Sequence, residues 1–323
     1  MDLSSLKKLL RWQGHVRSGT FVAPNFALDV EPGFVAAARL SPHKGQIQSV
    51  GARELPAGVL VPSANKSNLP DANLVRRALT EAGERVGISG GKVGLLIPDL
   101  AVRAALLQFE TLPKNPGEAE SLVLWRMREY LPYPPEEARL TFQVVGRQPG
   151  GVEILSVAVR NSVLAEYEGL LEGMNGGPAL LLPSSAALLP LLSEKPGGQL
   201  LLHLCAGSLT AAVVASNSLR YWRTRPLEGD AANNAGEVAR EAARVLATCQ
   251  DSLAVVVEDI WYCARPSPGP ELGEGLKKAL GREVTPLAAS LDHSPDLPAG
   301  QREAFDDFGL VFAGLMANAS QRR

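Results

Sequence analysis

Two groups of three predicted strands, one in each half of the chain, limit the fold more than any other feature of the sequence. The first group covers residues 26–30, 34–40 and 47–54, and its first turn holds Pro32 and Gly33, a strong turn signal. The second group follows Gly197 and Gly198 and covers residues 199–207, 208–216 and 217–227. Alternating helices and strands follow each group. This order predicts an α/β fold with two domains on either side of a cleft.

A third unit is predicted between the two halves. It consists of a strand at 102–113, a helix at 117–131, two strands joined by the turn at 148–151, and a helix capped by Asn161. The second half is predicted to end with a strand at 282–288 and a closing helix at 303–318. We therefore predict a basic amphipathic N-terminal segment (1–20), a first domain (21–99 plus 177–196), an inserted small α/β subdomain (100–176) and a second domain (197–323).

Composition and motifs exclude several classes of function. The balance of 32 Lys and Arg against 34 Asp and Glu argues against a nucleic-acid partner. Three cysteines and four histidines, without paired spacing, predict neither a disulfide framework nor a metal site, and favour a reducing, cytoplasmic compartment. No phosphate loop of the G-x-x-x-x-G-K-[ST] type, no H-E-x-x-H and no G-x-S-x-G is present, so no catalytic residue is predicted. His203 is interpreted as a buried histidine with a hydrogen-bond partner, and Cys205 as a small buried apolar residue.

The N-terminal segment leaves two interpretations open. Leu3, Leu6, Leu9 and Leu10 recur at helical spacing, with Lys7, Lys8 and Arg11 between them. A basic amphipathic helix over residues 2–12 fits an anionic membrane surface. The pattern also fits a helix that packs its leucines on the protein body and exposes its lysines. No apolar run reaches the length of about 18 residues that a transmembrane helix needs.

Four stretches together resemble the PilM family of type IV pilus assembly proteins, which are relatives of FtsA in the actin-like ATPase superfamily. They are FALDVEPGFVAAARL; LLIPDLAVRAALLQFETLP with LVLWRMREYLPYPPEEARLTFQVVG; VEILSVAVRNSVLAEYEGLLEGMN; and the second strand group with AFDDFGLVFAGLMAN. The second stretch is the most specific, since it resembles the family's inserted subdomain. The resemblance covers residues 21–318. It implies a two-domain actin-like (ribonuclease H-like) ATPase fold with a strand-helix-strand-strand insert.

The loops that would bind nucleotide in this family are altered. Asp29 matches the acid of the first loop, but Glu31 and Pro32 replace a glycine and a serine before Gly33. In the second loop His203 and Cys205 replace an acid and a glycine, ahead of Gly207. In the late strand the sequence Cys-Ala-Arg-Pro at 263–266 replaces a pair of glycines. These changes remove backbone groups that approach phosphate and an acid that would help to hold Mg²⁺.

Three interpretations of these loops compete. We favour a pseudo-ATPase, a scaffold that keeps the fold and has lost tight nucleotide binding, because an unpaired Glu31 near a triphosphate is unfavourable. The alternative is an ATPase that binds ATP and Mg²⁺ through Asp29, Gly33 and Gly207. A sugar-kinase-like enzyme is disfavoured, since no acid is found for an acceptor hydroxyl. We therefore expect no cofactor, with binding of ATP and Mg²⁺ weak or absent.

The resemblance also implies a partner. PilM proteins are cytoplasmic, are recruited to the inner membrane, and bind the short N-terminal tail of the bitopic membrane protein PilN in a groove between the first domain and the insert. Trp125, Arg128 and Tyr130 are candidate partner-binding residues on the insert helix. The function expected is a non-catalytic scaffold of a type IV pilus-like machine, peripheral to the inner membrane. A cytoplasmic GspL-like component of type II secretion is the alternative within the same architecture.

Overall fold

A computed structural model of the chain describes residues 24–41, 45–88, 90–148, 150–173, 178–205, 207–228, 234–291 and 295–320. The predicted amphipathic segment over residues 1–20 lies outside these ranges. None of the described helices combines the length and the hydropathy that crossing a bilayer requires.

The first sheet has the strand order β3-β2-β1-β4-β8. Its strands are β1 (Phe26–Glu31), β2 (Phe34–Ser41), β3 (Gln46–Glu54), β4 (Val93–Ile97) and β8 (Pro178–Pro183). The first three run antiparallel, as the Pro-Gly turn between β1 and β2 predicts, while β4 and β8 run parallel to β1. Helix α1 (Ala72–Arg85) connects β3 to β4 and begins where the Asp71 side chain accepts a hydrogen bond from the Leu74 N–H.

The second sheet repeats this arrangement, with the order β11-β10-β9-β12-β13. Its strands are β9 (Gly198–Cys205), β10 (Ser208–Ala215), β11 (Ser218–Pro226), β12 (Val257–Arg265) and β13 (Thr285–Pro286). Helix α5 (Ala235–Leu253) connects β11 to β12, and α6 (Glu271–Leu280) follows β12. The two sheets therefore share one topology, in which a meander of three strands is extended by two parallel strands.

The insert forms a third sheet, of order β5-β7-β6, between β4 and β8 of the chain. It contains β5 (Arg103–Phe109), α2 (Pro116–Met127), β6 (Ala138–Gln148), β7 (Gly151–Arg160) and α3 (Asn161–Gly169). Side chains alternate across β7. Ile154 and Ala158 pack with the face of α2, whereas Leu155, Val157 and Val159 join the large core of the first half.

Two local predictions are wrong. Asn161 does not cap α3: the cap position is Arg160, without a side-chain hydrogen bond to the helix, because β7 runs directly into the helix and Arg160 Nε is bonded to Glu137. The strand predicted at 282–288 is reduced to Thr285–Pro286, since Pro286 has no N–H and residues Leu287–Ser290 turn into a 3₁₀ helix. The closing helix predicted at 303–318 is confirmed: the chain is helical without a break from Arg302 to Ser320, with a π-helical stretch (Phe305–Gly309) between a first turn (Arg302–Ala304) and α7 (Leu310–Ser320).

Helices pack the first half against the second at the base of the cleft. Helix α4 (Ser184–Leu188) directly follows β8, and α7 lies against it. Phe312 and Leu315 of α7 belong to the same buried cluster as Leu201 and Cys263 of the second sheet. The core is therefore continuous from one half to the other, and it surrounds the polar groups described next.

Candidate functional site

The carboxyl ends of the parallel strands from both halves meet at one place. In β1, Leu28 and Val30 face one side of the sheet, so Asp29 and Glu31 face the other, toward the second half. Both carboxyl groups are almost completely buried, at 0% and 1% exposure. Ligand sites of open α/β sheets lie at such carboxyl ends, which makes this the candidate functional site.

The second sheet contributes from β9 and β12 by the same alternation. Leu202 and Leu204 of β9 pack inside the second half, which directs His203 and Cys205 toward the first half. In β12, Cys263 and Arg265 share the inward face. Arg265 is the last residue of its strand and is 3% exposed. Its guanidinium therefore projects into the space between the halves.

Arg265 binds groups from three strands. Its Nη1 forms an ion pair with the Asp29 carboxylate, and its Nη2 lies 3.3 Å from Glu31 Oε1. Its Nε donates to His203 Nε2 at 3.0 Å, and the guanidinium carbon lies 5.6 Å from the centre of the Phe34 ring. Glu31 Oε1 also accepts a hydrogen bond from Ser184 Oγ at 2.6 Å. The guanidinium thus occupies the position between the two carboxyl groups.

A third buried carboxyl group, that of Asp99, joins the same network. It lies in the 3₁₀ turn after β4, and its Oδ2 accepts from Thr210 Oγ1 at 2.7 Å and lies 3.3 Å from His203 Nδ1. Ser185 binds it twice, through its backbone N–H at 3.1 Å and through its hydroxyl. Since Thr210 and His203 belong to the second sheet, Asp99 links the halves as Arg265 does.

Burial and neighbouring charge set the protonation of these groups. Burial, together with the nearby Asp29, raises the pKa of Glu31 to about 8, so Glu31 is largely protonated at neutral pH. Burial also raises the pKa of Asp29, against the opposing effect of Arg265. For Asp99 the hydrogen bonds from His203, Ser185 and Thr210 together outweigh burial, and the pKa is lowered. Burial lowers the pKa of His203, which keeps the imidazole neutral. The cluster therefore holds Arg265 as a cation between Asp29 and a neutral Glu31.

Ser185, His203 and Asp99 do not form a nucleophilic triad. In such a triad the serine and the acid bind opposite nitrogens of the imidazole, so that a proton passes through the ring. Here Ser185 Oγ lies 2.6 Å from His203 Nδ1, the same nitrogen that faces Asp99, while Nε2 accepts from Arg265. All three side chains are buried. Cys205 is no better a nucleophile, because burial raises the pKa of its thiol well above the ordinary value.

The same positions are those at which the family resemblance implies ATP and Mg²⁺, and the residues do not fit that ligand. Mg²⁺ binding requires a carboxylate with free lone pairs and room for several waters. Asp29 Oδ2 is paired with Arg265, and Asp99 is bound by Ser185 and Thr210. Asp29 Oδ1 has no hydrogen-bond partner, but the residue is 0% exposed and its other oxygen faces a cation, so it offers Mg²⁺ no hydrated site. The expectation that Glu31 is unpaired is wrong, since Arg265 and Ser184 both bind it. Among the described residues no group of three or more His, Cys, Asp or Glu side chains is arranged to hold a metal ion.

The structure brings most of the predicted loop residues together. Asp29, Glu31 and His203 all contact Arg265, and the interpretation of His203 as a buried, hydrogen-bonded histidine is confirmed. Gly33 and Gly207 lie in the tight turns of their meanders with φ of +88° and +80°, a conformation that favours glycine. Both glycines therefore serve turn geometry.

Trp125, Arg128 and Tyr130 lie elsewhere, on the insert. Ala119, Val123 and Met127 of α2 face the insert sheet at intervals of four residues, which places Trp125 on the outward side. Trp125 is 54% exposed and Tyr130 is 45% exposed. The Arg128 guanidinium lies 5.0 Å from the centre of the Trp125 ring. These three residues form an exposed surface, here called the insert surface.

The buried polar groups bound to Arg265 and to Asp99 are here called the charged cluster. Sequence reasoning missed four of its members: Asp99, Ser184, Ser185 and Thr210. For the first three, one feature of the sequence could have predicted their position. Each follows directly after a buried parallel strand, at the sequence Ile-Pro-Asp after β4 and Leu-Pro-Ser-Ser after β8. Polar residues at that position collect at the carboxyl edge of a sheet. Thr210 lies within the apolar run of β10 and carries no such signal.

Comparison by sequence finds no match: no family model matches the chain, and no curated protein does. Comparison by structure does find matches, and they place the chain in the actin-like ATPase fold. A protein of this fold and unknown function from Bacteroides thetaiotaomicron matches with a TM-score of 0.51 and 9% identity, over 84% of this chain and 93% of that one.

The particular form of that fold resembles PilM. A chain of the PilM–PilN type IV pilus biogenesis complex matches with a TM-score of 0.75 and 18% identity, over 93% of this chain and 99% of that one. The cytoplasmic domain of EpsL, an inner membrane component of the type II secretion system of Vibrio cholerae, matches with a TM-score of 0.49 and 12% identity, over 92% and 95% of the two chains. The predicted fold class is confirmed.

Proposed function

We propose that this chain is a non-catalytic scaffold of a type IV pilus-like assembly machine, and that it acts in the cytoplasm at the inner membrane. The observation that carries the assembly role is the match to a chain of the PilM–PilN complex over nearly the full length of both chains. The insert is part of that match, and an insert distinguishes this architecture from the two-sheet core alone. A shared fold supports a shared role only by analogy, so the role requires its own test.

The non-catalytic part of the proposal rests on the charged cluster. A nucleotide would have to separate Arg265 from Asp29 and Glu31, and to leave these two buried carboxyl groups without the guanidinium. Breaking a buried ion pair costs several kcal/mol, on the order of 3–5. The phosphates would also meet Glu31 instead of a glycine N–H. These costs oppose nucleotide binding and favour a cleft held closed by side chains.

The partner is a short N-terminal tail of a single-span inner-membrane protein of the PilN kind, and the insert surface contributes to its binding. Trp125 and Tyr130 offer exposed aromatic area, and the Arg128 guanidinium lies over the Trp125 ring. Tryptophan, tyrosine and arginine dominate the energetics of protein–protein contacts. Trp125 is exposed on α2, whose opposite face packs on the insert sheet, so its side chain has no role in the core of the insert.

The test uses the full chain and a fluorescent peptide with the cytoplasmic N-terminal sequence of the single-span protein encoded beside this chain's gene. Wild type is expected to bind the peptide, and Trp125→Ala is expected to weaken binding at least tenfold, about 1.4 kcal/mol. Val256→Ala is the matched control, because Val256 is 73% exposed and belongs to the second half. Absence of binding at millimolar peptide, or equal loss in both variants, would refute the proposal.

A further inference from the structure

A groove on the first half lies between the outer strand β3 and helix α7. Its volume is about 600 Å³, and it is lined by the apolar residues Ile47, Leu191, Leu291 and Ala313. Gln48 and Asp296, both exposed, also line it. The groove is separate from the charged cluster and from the insert surface.

Strand β3 lies at the edge of the first sheet, and side chains cover its open edge along part of its length. The Val50 N–H donates to Gln301 Oε1 at 2.8 Å, and the Ala52 carbonyl accepts from Arg53 and Arg85 at 3.3 Å. Residues 46–48, at the other end of this strand, line the groove. Native sheets cover or blunt their edge strands, since open edges pair with other chains.

Helix α7 presents apolar residues on every side. Residues 310–317 of this helix, LVFAGLMA, include no polar residue, and one side packs so closely on α4 that a Cβ on Gly314 would lie 1.9 Å from the Ala187 carbonyl oxygen. The side carrying Ala313 lines the groove. Helices that are apolar all round are buried in stable proteins. An apolar segment is therefore expected to cover this side.

The chain itself supplies such a segment within reach. The described chain enters the first sheet at Asn25, whose carbonyl accepts from the Leu40 N–H at 2.7 Å, and Leu40 pairs with Ile47 of β3. The entry point therefore lies two strands from the groove, roughly 10 Å. The residues 13–23 extend over as much as ~36 Å, which is more than enough to lead residues 3–12 back to the groove.

We propose that residues 3–12 dock in this groove. Leu3, Leu6, Leu9 and Leu10 form the apolar side at helical spacing and pack on Leu291 and Ala313. The basic residues Lys7, Lys8 and Arg11 face solvent and the carboxylate of Asp296 at the rim. This contact covers α7 and the 46–48 end of β3 together. It does not depend on the proposed pilus function.

The test measures how quickly maleimide alkylates an introduced cysteine in the full chain. The three native cysteines are buried, so Ala313→Cys adds the one accessible thiol among the described residues. When Leu6→Asp and Leu9→Asp are added, alkylation is expected to become at least tenfold faster, because the docked segment no longer shields the groove. Gln48→Cys, at the exposed rim, provides a second reporter if Ala313→Cys does not fold.

Val256→Cys is the control reporter, and its alkylation rate is expected to stay constant with and without the leucine substitutions, since Val256 lies on the second half. If Leu6→Asp and Leu9→Asp leave the alkylation rate unchanged at each of the two groove reporters, the proposal is overturned. Flotation with phosphatidylglycerol vesicles tests the alternative hypothesis, in which residues 3–12 bind a membrane surface. If the leucine substitutions abolish vesicle binding and leave the groove rates unchanged, the segment binds membrane and not the groove.

Discussion

Arg265 Nε donates a hydrogen bond to His203 Nε2 at 3.0 Å, between the ends of two neighbouring strands of the second sheet. Acceptance at Nε2 places the imidazole proton on Nδ1, which faces Asp99 of the first half at 3.3 Å. The same guanidinium binds Asp29 and Glu31. One side chain therefore fixes a histidine tautomer and connects the two halves.

The first prediction concerns Arg265→Ala. Removal of the guanidinium leaves Asp29 buried without its cation, and breaking a buried pair in this way costs about 3–5 kcal/mol. We expect the free energy of unfolding, measured by urea denaturation, to fall by that amount. Arg126→Ala is the control, since Arg126 and Glu129 form an exposed pair at 3.6 Å on α2 and such pairs contribute about 0–1 kcal/mol. Equal effects of the two variants would contradict the assigned role of Arg265.

The second prediction concerns pH and Glu31. The pKa of Glu31 is about 8 in the folded protein against an ordinary value of 4.5, so the folded state binds the proton more tightly than the unfolded chain. The resulting stabilisation is complete below pH 4.5 and is lost as the pH rises toward 8. We therefore expect the contribution of Glu31 to the free energy of unfolding to decrease between these values.

Glu31→Gln isolates this effect. The amide keeps the neutral shape and does not titrate, so the difference in stability between variant and wild type should grow in favour of the variant as pH rises from 6.5 to 8. Neutral His203 acts in the opposite sense, because its folded pKa is lowered and its contribution is lost as pH falls below 6.5. Its effect cancels in the difference. A difference independent of pH would mean that Glu31 is ionised in the folded protein.

The third prediction is that ATP does not bind appreciably. A ligand with a Kd above about 10 mM stabilises by less than roughly 0.2 kcal/mol at 2 mM. We expect the melting temperature to be unchanged, within about 1 °C, in 2 mM ATP and Mg²⁺. Micromolar ATP binding by calorimetry that Asp29→Ala abolishes would instead establish the alternative, an ATPase with altered loops.

Local patterns predicted the strands of both meanders because short apolar runs and the turn residues between them are signals that act over a few positions. The Pro32-Gly33 turn and the strands on either side of it lie where the sequence places them. The predictions failed where a local sequence signal competed with the secondary structure of the adjacent segment. Asn161 is a good capping residue, yet the strand before it continues through Arg160 and occupies the cap position.

The charged cluster was only partly predictable, because its contacts join residues far apart in the chain. His203 and Asp99 are 104 positions apart, and Arg265 and Asp29 are 236 apart. From the sequence, Arg265 could be recognised only as part of a segment that replaces two glycines of a nucleotide-binding loop. The sequence did not show that its guanidinium binds Asp29 and Glu31. No spacing rule connects side chains across two sheets, whereas strand alternation predicts which side each faces.

The last prediction concerns the contact that places Ser184 and Ser185. These residues begin α4, and Ala187 of the same helix lies against Gly314 of α7, where an added Cβ would come within 1.9 Å of the Ala187 carbonyl oxygen. The clash is with backbone, which cannot move aside as the end of a flexible side chain can. Gly314→Ala is therefore expected to lower the free energy of unfolding by about 1–3 kcal/mol.

Gly236→Ala is the control in α5, because no atom lies within 4 Å of its added Cβ. That substitution is expected to be neutral or to stabilise by up to about 1 kcal/mol, since alanine favours helix more than glycine does. Thermal unfolding by circular dichroism measures both, and a Gly314→Ala variant as stable as wild type would show that α4 and α7 are free to separate.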